Sequence, residues 1–222
     1  MRRTALLTAT FALAVTGTAF AQAFTEFISR QDFFAVSFPG APSVQDTTWA
    51  SQEGITLPAR VYRVENARGR YSMTVVDYKD AEKLHAERSA QCLKNKGEGD
   101  ACMNGWRGDV AGAIVWATSK FIMQPNGKVT FYSWYVADSV QGQMVQLLNA
   151  DESRTFAAVN MHGTRLYVLE ATVPRGAPAP GVFQQSLMFL DDQGKVIRYR
   201  GYYSPTYSDE WKFPAPPPPR AR

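Results

Sequence analysis

The stretch from Lys128 to Val173 restricts the fold more than any other part of the chain. It holds four runs rich in β-branched, aromatic and aliphatic residues: Val129 to Val136, Val140 to Leu148, Thr155 to Met161 and Arg165 to Val173. Only Ala137-Asp138-Ser139, Asn149 to Arg154 and His162-Gly163-Thr164 separate them. A parallel neighbour needs a crossover of roughly a dozen residues or more, so strands joined this tightly run antiparallel. The segment predicts a meander. A second unit of the same kind lies upstream, where Arg60 to Val64 and Tyr71 to Tyr78 flank the solvated turn Glu65-Asn66-Ala67-Arg68-Gly69-Arg70. Met73, Val75 and Val76 make the second of these runs apolar on both faces, which predicts a central strand with the others packed around it.

Shorter runs precede this hairpin. Phe24 to Ile28 and Phe33 to Phe38 read as strands, the second ended by Pro39-Gly40-Ala41-Pro42, and Thr47 to Ala50 as another. From Asp80 to Lys96 the composition shifts to Glu, Lys, Leu, Ala and Arg, predicting a helix capped by Asp80 with a thin apolar stripe of Ala81, Leu84 and Ala90. Asp109 to Phe121 places Val110, Ala113, Ile114, Ala117 and Phe121 at helical spacing behind a capping Asp109, although Ile114-Val115-Trp116 with Pro125-Asn126-Gly127 also fits a hairpin. Phe183 to Leu190 reads as a short helix, and Lys195 to Tyr203 as a segment that returns to the sheet. The fold class is α+β, a mainly antiparallel sheet flanked by two or three helices.

Met1-Arg2-Arg3, the apolar run Ala5 to Val15 and the small residues of Ala19-Phe20-Ala21 combine as a cleavable secretory signal over residues 1–21, with a cut after Ala23 as the alternative. Arg2-Arg3 also opens twin-arginine signals, but no other part of that signal follows. No later stretch reaches the roughly 18 uninterrupted apolar residues of a membrane span. The expected location is periplasmic or secreted. Residues 22–203 then form one α+β domain, and residues 204–222, with Pro214 to Pro219, a disordered proline-rich tail. Export exposes Cys92 and Cys102 to an oxidising compartment and predicts a disulfide; Cys-x9-Cys with one nearby His matches no zinc spacing. Of 24 Lys and Arg, Arg2 and Arg3 leave with the signal, which puts 22 against 20 acidic residues. That balance supplies no basic stripe for nucleic acid.

With the strands placed, Phe34-x-Val-x-Phe-Pro-Gly-x-Pro, Val61-Tyr62 and Tyr71-x-Met-x-Val-Val-Asp-Tyr together resemble the opening strands of exported PsbP-like domains. The fuller string, with Ser153 to Ala158, Arg165-Leu166-Tyr167 and Phe183-Gln184-Gln185-Ser186-Leu187, is similar to uncharacterised exported proteins of Gram-negative bacteria. The resemblance implies a sheet flanked by helices and an accessory or binding role. It brings no catalytic residue and no cofactor.

The residues themselves offer little catalytic chemistry. His85 has Glu82 and Ser89 one helical turn away on either side, the arrangement of a base-assisted hydroxyl, yet no nucleophile-elbow motif is present. His162 belongs to a turn. Asp191-Asp192-Gln193-Gly194 lacks the terminal Glu of a calcium loop, and neither Asp151-Glu152 nor Asp77 with Asp80 has acid/base spacing. The densest basic and aromatic cluster is Arg198-Tyr199-Arg200-Gly201-Tyr202-Tyr203, in which strand alternation would put Arg198, Arg200 and Tyr202 on one face. These three are the candidate binding residues, for an envelope protein, a glycan or another ligand. A hydrolase assembled from residues distant in sequence is the competing reading.

Overall fold

The computed structural model describes residues 24–204. The predicted signal at 1–21 and nearly all of the predicted tail lie outside these residues. The chain forms β1 (Thr25–Ser29), β2 (Phe34–Phe38), β3 (Ser43–Ala50), β4 (Thr56–Asn66), β5 (Gly69–Asp77), α1 (Ala81–Lys94), a 3-10 turn (Gly99–Cys102), α2 (Trp106–Ile122), β6 (Gly127–Ala137), β7 (Val140–Asn149), β8 (Arg154–His162), β9 (Arg165–Val173), α3 (Gly181–Gln185) and β10 (Met188–Phe189). Seven strands make one sheet in the order β3-β4-β5-β9-β8-β7-β6, and β1-β2-β10 make a second. Every pairing between these strands is antiparallel. The α+β expectation, the hairpin and the meander all hold. β5 is interior, as its two-faced apolar pattern requires, but the middle position belongs to β9.

Alternation along the strands divides the core into two layers. Tyr62, Met73, Leu169 and Ala158 lie in register across β4, β5, β9 and β8 and meet Phe34, Val36 and Phe38 of the small sheet, together with Phe183 of α3. On the opposite face Leu57, Val76, Leu166 and Met161 meet Val110, Ala113, Ala117 and Phe121 of α2. Those four α2 residues repeat every three to four positions, which is what lets one stripe of a helix cover a sheet. The hairpin alternative for this segment is therefore set aside. Gly69 closes the β4–β5 turn at φ +134°, and a Cβ there would run into the backbone of Thr172 on β9. Glycine is required there by both conformation and space.

Several local expectations are corrected. Asp80 precedes α1 without a capping side-chain bond, and Asp109 does not cap α2, which starts three residues earlier at Trp106. Ala90 is exposed, and His85 fills the α1 stripe in its place. Phe183 to Leu190 is not one helix: α3 stops at Gln185, and Met188 and Phe189 pair with Ala35 and Phe34 of β2. Lys195 to Tyr203 adds no strand, only isolated bridges at Val196 and Tyr203. Among the described residues no helix is long and apolar enough to cross a membrane.

Cys92 and Cys102 are bonded, with Cα atoms 5.3 Å apart, and tie the end of α1 to the 3-10 turn. Closing a loop of about 11 residues removes chain entropy worth about 2.8 kcal/mol from the unfolded state. Reduction is expected to lower the melting temperature by about 8 °C for a domain of this size. Calorimetry with and without reductant checks this, and identical melting curves would show that the bond carries no stability.

Candidate functional site

The histidine pattern read from the sequence does not assemble. His85 is buried, and its Nε2 lies 2.9 Å from Asp109 Oδ2, with both side chains at zero exposure. The Ser89 hydroxyl instead donates to the Cys102 carbonyl at 2.5 Å, and Glu82 is exposed. Asp109 also accepts from the Glu53 backbone N–H, so the pair joins α1, α2 and the β3–β4 loop. Burial, and after it the charge of Asp109, pushes the Tyr78 hydroxyl above its ordinary range. This polar group is enclosed and serves the helix layer. His162 stacks on Phe189 at 4.7 Å, and its Nε2 lies 2.5 Å from the Tyr199 hydroxyl.

A second polar group anchors the small sheet. Asp32 accepts from Arg60 Nη1 at 2.9 and 3.0 Å and from the Tyr62 hydroxyl at 2.5 Å. Burial, reinforced by Asp32, pushes Tyr62 up to about 12. For Arg60, burial works against the charge, but Asp32 and then Asp46 more than offset it and its pKa is raised. Both groups have their partners within the chain. Among the described residues, no cluster of three or more His, Cys, Asp and Glu side chains is placed to hold a metal ion.

The candidate binding residues sit beside the β6–β7 turn. Asp138 and Ser139 take φ of +44° and +69°, both positive as a tight two-residue hairpin requires. Arg198 Nη1 donates to both oxygens of Asp138 at 2.9 and 3.1 Å, and Tyr203 exchanges backbone bonds with Ser139 and Gln141. The segment braces this turn. Tyr199 and Tyr203 pack on His162, so the alternation expected of a strand is replaced by irregular backbone with separate anchor points. Arg200 is exposed. Tyr202, 69% exposed, meets Trp134 edge-on at 5.4 Å.

Trp134 leads to a surface that the sequence reading did not single out. β6 ends the seven-stranded sheet, with no strand on its outer side among the described residues. Val129, Phe131, Tyr132 and Trp134 are 37 to 56% exposed along it. Register with β7 places Tyr132 and Trp134 on the helix side and Phe131 on the other, after an irregularity between Val129 and Phe131. Between Trp134 and α2 runs a groove of about 210 Å³ walled by Ala111, Ile114 and Val115, with Gln143 and Met161 within it. The Gln143 Oε1 is buried there with no hydrogen-bond partner among the described residues. The signal available in the sequence was Phe131-Tyr132-Ser133-Trp134-Tyr135, a strand with aromatic residues on both faces and no charge.

No protein-family model matches the chain, and no curated protein matches it. Among solved structures it is similar to the solution structure of cyanobacterial PsbP (CyanoP) from Synechocystis sp. PCC 6803. The two are 10% identical, the match covers 80% of this chain and 98% of that one, and the TM-score is 0.43.

Proposed function

We propose that the protein is an exported, non-catalytic binding module whose partner is an envelope protein that lays an extended segment along the free edge of β6. The observation that carries this reading is the β6 edge itself, which has no strand on its outer side among the described residues and exposes Phe131, Tyr132 and Trp134. Natural edges are blunted by charges, proline or cover, because a bare edge pairs with any available strand. β3, the opposite edge, carries Asp46 in ion pair with Arg60; β6 has no charge beyond Lys128. Strand addition draws affinity from main-chain hydrogen bonds and specificity from side-chain pockets, and the α2 groove beside Trp134 supplies such a pocket. A glycan would use the aromatic faces of Trp134 and Tyr202 and leave the backbone edge unused.

The signal-like N-terminus and the Cys92–Cys102 bond support export. A photo-crosslinker at Tyr132 in intact cells identifies the partner, after which purified components are compared. Trp134→Ala is expected to weaken binding roughly 30-fold, the effect of losing one hot spot, and Arg200→Ala with Tyr202→Ala to weaken it less. Amide exchange in β6 should slow in the complex. Unchanged β6 exchange together with wild-type affinity of Trp134→Ala would overturn the assignment.

A further inference from the structure

The helix-side face of the large sheet is not fully covered by α1 and α2. Strand register lines up Arg63, Ser72 and Glu170 across β4, β5 and β9, and beside them Glu65, Arg70, Thr172 and Thr155 across β4, β5, β9 and β8. Toward β7 both rows turn apolar, through Ala157 and Val145 in one and Leu147 in the other, where α2 lies over them. The polar half therefore forms a floor open to solvent. Two adjoining clefts occupy it, about 480 Å³ and about 340 Å³, and both are lined by Arg70 and Glu170. Their size suits a small molecule.

The floor is already ordered. Thr155 and Thr172 are buried and share a hydroxyl bond of 2.9 Å, and Asn149 Nδ2 donates to Thr155 at 2.9 Å and to Ser153 at 2.9 Å. Glu170 has no such partner: among the described residues it forms no ion pair, and Arg70 and Arg63 act on it only through space. Burial raises its pKa against the opposing pull of Arg70 and Arg63. A half-buried carboxylate between two arginines that it does not touch leaves complementary charges unused in one cleft.

We propose that this cleft binds a small zwitterion, its ammonium seated on Glu170 and its anionic group on Arg70 and Arg63. An anion alone would meet Glu170, Glu65 and Asp151 as well as the arginines, and a cation alone would meet both arginines. A molecule with both charges answers each group with its opposite. Free α-amino acids are the simplest members of this class. The site is floored by β4, β5, β9 and β8 rather than by the β6 edge and does not depend on the partner reading.

The test uses the full processed chain and the common α-amino acids as probes, beside their decarboxylated amines and deaminated acids. Backbone amide shifts at Arg70 to Ser72 and Glu170 to Thr172 should saturate with a dissociation constant at or below about 1 mM. Glu170→Gln and Arg70→Gln are each expected to weaken binding at least roughly tenfold. Glu170→Gln keeps the shape and removes a buried charge, so its melting temperature should not fall; Arg63→Gln gives a third, independent reading. Absence of saturation up to about 10 mM, equal binding of the singly charged analogues, or unchanged binding by folded Glu170→Gln and Arg70→Gln would each overturn the site.

Discussion

Replacing Asp109 with alanine is expected to cost about 3 to 5 kcal/mol of unfolding free energy, since removing one member of a buried polar pair strands the other. His85 Nε2 would then be buried without an acceptor in a layer where its Nδ1 already has no hydrogen-bond partner among the described residues. The Glu53 N–H would lose its acceptor as well. At 2 to 4 °C per kcal/mol for a domain of this size, the melting temperature should fall by about 10 °C. Joint replacement of His85 and Asp109 by leucine or methionine should cost much less than Asp109→Ala, because no buried imidazole is then stranded and the N–H of Glu53, an exposed residue, can bond water instead. Urea unfolding of the three chains checks the cycle. A loss below about 1 kcal/mol for Asp109→Ala would mean that the pair does not hold the helix layer to the β3–β4 loop.

The other large effect is expected on the opposite face. Phe34 is fully buried, with ring centres 5.0 Å from Tyr62 and 6.2 Å from both Phe27 and Tyr167. With Val36 and Phe38 it carries the contact of the small sheet with the large one. Phe34→Ala removes the ring and leaves a cavity that neighbouring aromatic rings cannot fill without leaving their own contacts, so a loss of about 3 to 5 kcal/mol is expected. Phe34→Leu should recover more than half of it. Equal stabilities for the alanine variant and the wild type in chemical denaturation would show that the small sheet is not coupled to the large one through this residue.

The parts of the fold legible in the sequence are those written in local alternation and turn chemistry. β6 to β9 could be read from apolar runs and short connections, and β4 and β5 from a strand-turn-strand pattern, because neighbours in sequence are neighbours in space there. α2 was legible as a stripe, but its start was not. Asp109 looks like a cap because most aspartates ahead of an apolar run are caps, and nothing local reveals a partner 24 residues upstream. The same reason hid the pairing of β2 with Met188 and Phe189, which joins opposite ends of the domain. In β3 only the last four residues carry a strand signal, because Ser43 to Asp46 lacks the apolar alternation of a covered strand. For Arg198, Arg200 and Tyr202 the strand alternation expected from the sequence does not describe the geometry. The structure puts Arg198 on Asp138 and Tyr202 on Trp134, beside an aromatic edge whose exposure no periodicity reports.

The order of the large sheet also bears on how the chain reaches its folded state. β3-β4-β5 and β6-β7-β8-β9 are each built from hairpin neighbours, whereas the seam between them, β5 against β9, pairs Met73 with Leu169 across roughly a hundred residues of chain. Each unit can gain contacts by closing short loops; the seam closes one long loop that contains α1, α2 and the disulfide. The two units are thus expected to condense first and the seam to set the rate. Truncations at Val75 or Leu169 should then slow refolding, while breaking the Cys92–Cys102 bond should act mainly on the unfolding limb of a chevron plot. If seam truncations left the refolding limb in place and moved only unfolding, the units would not be assembling in that order.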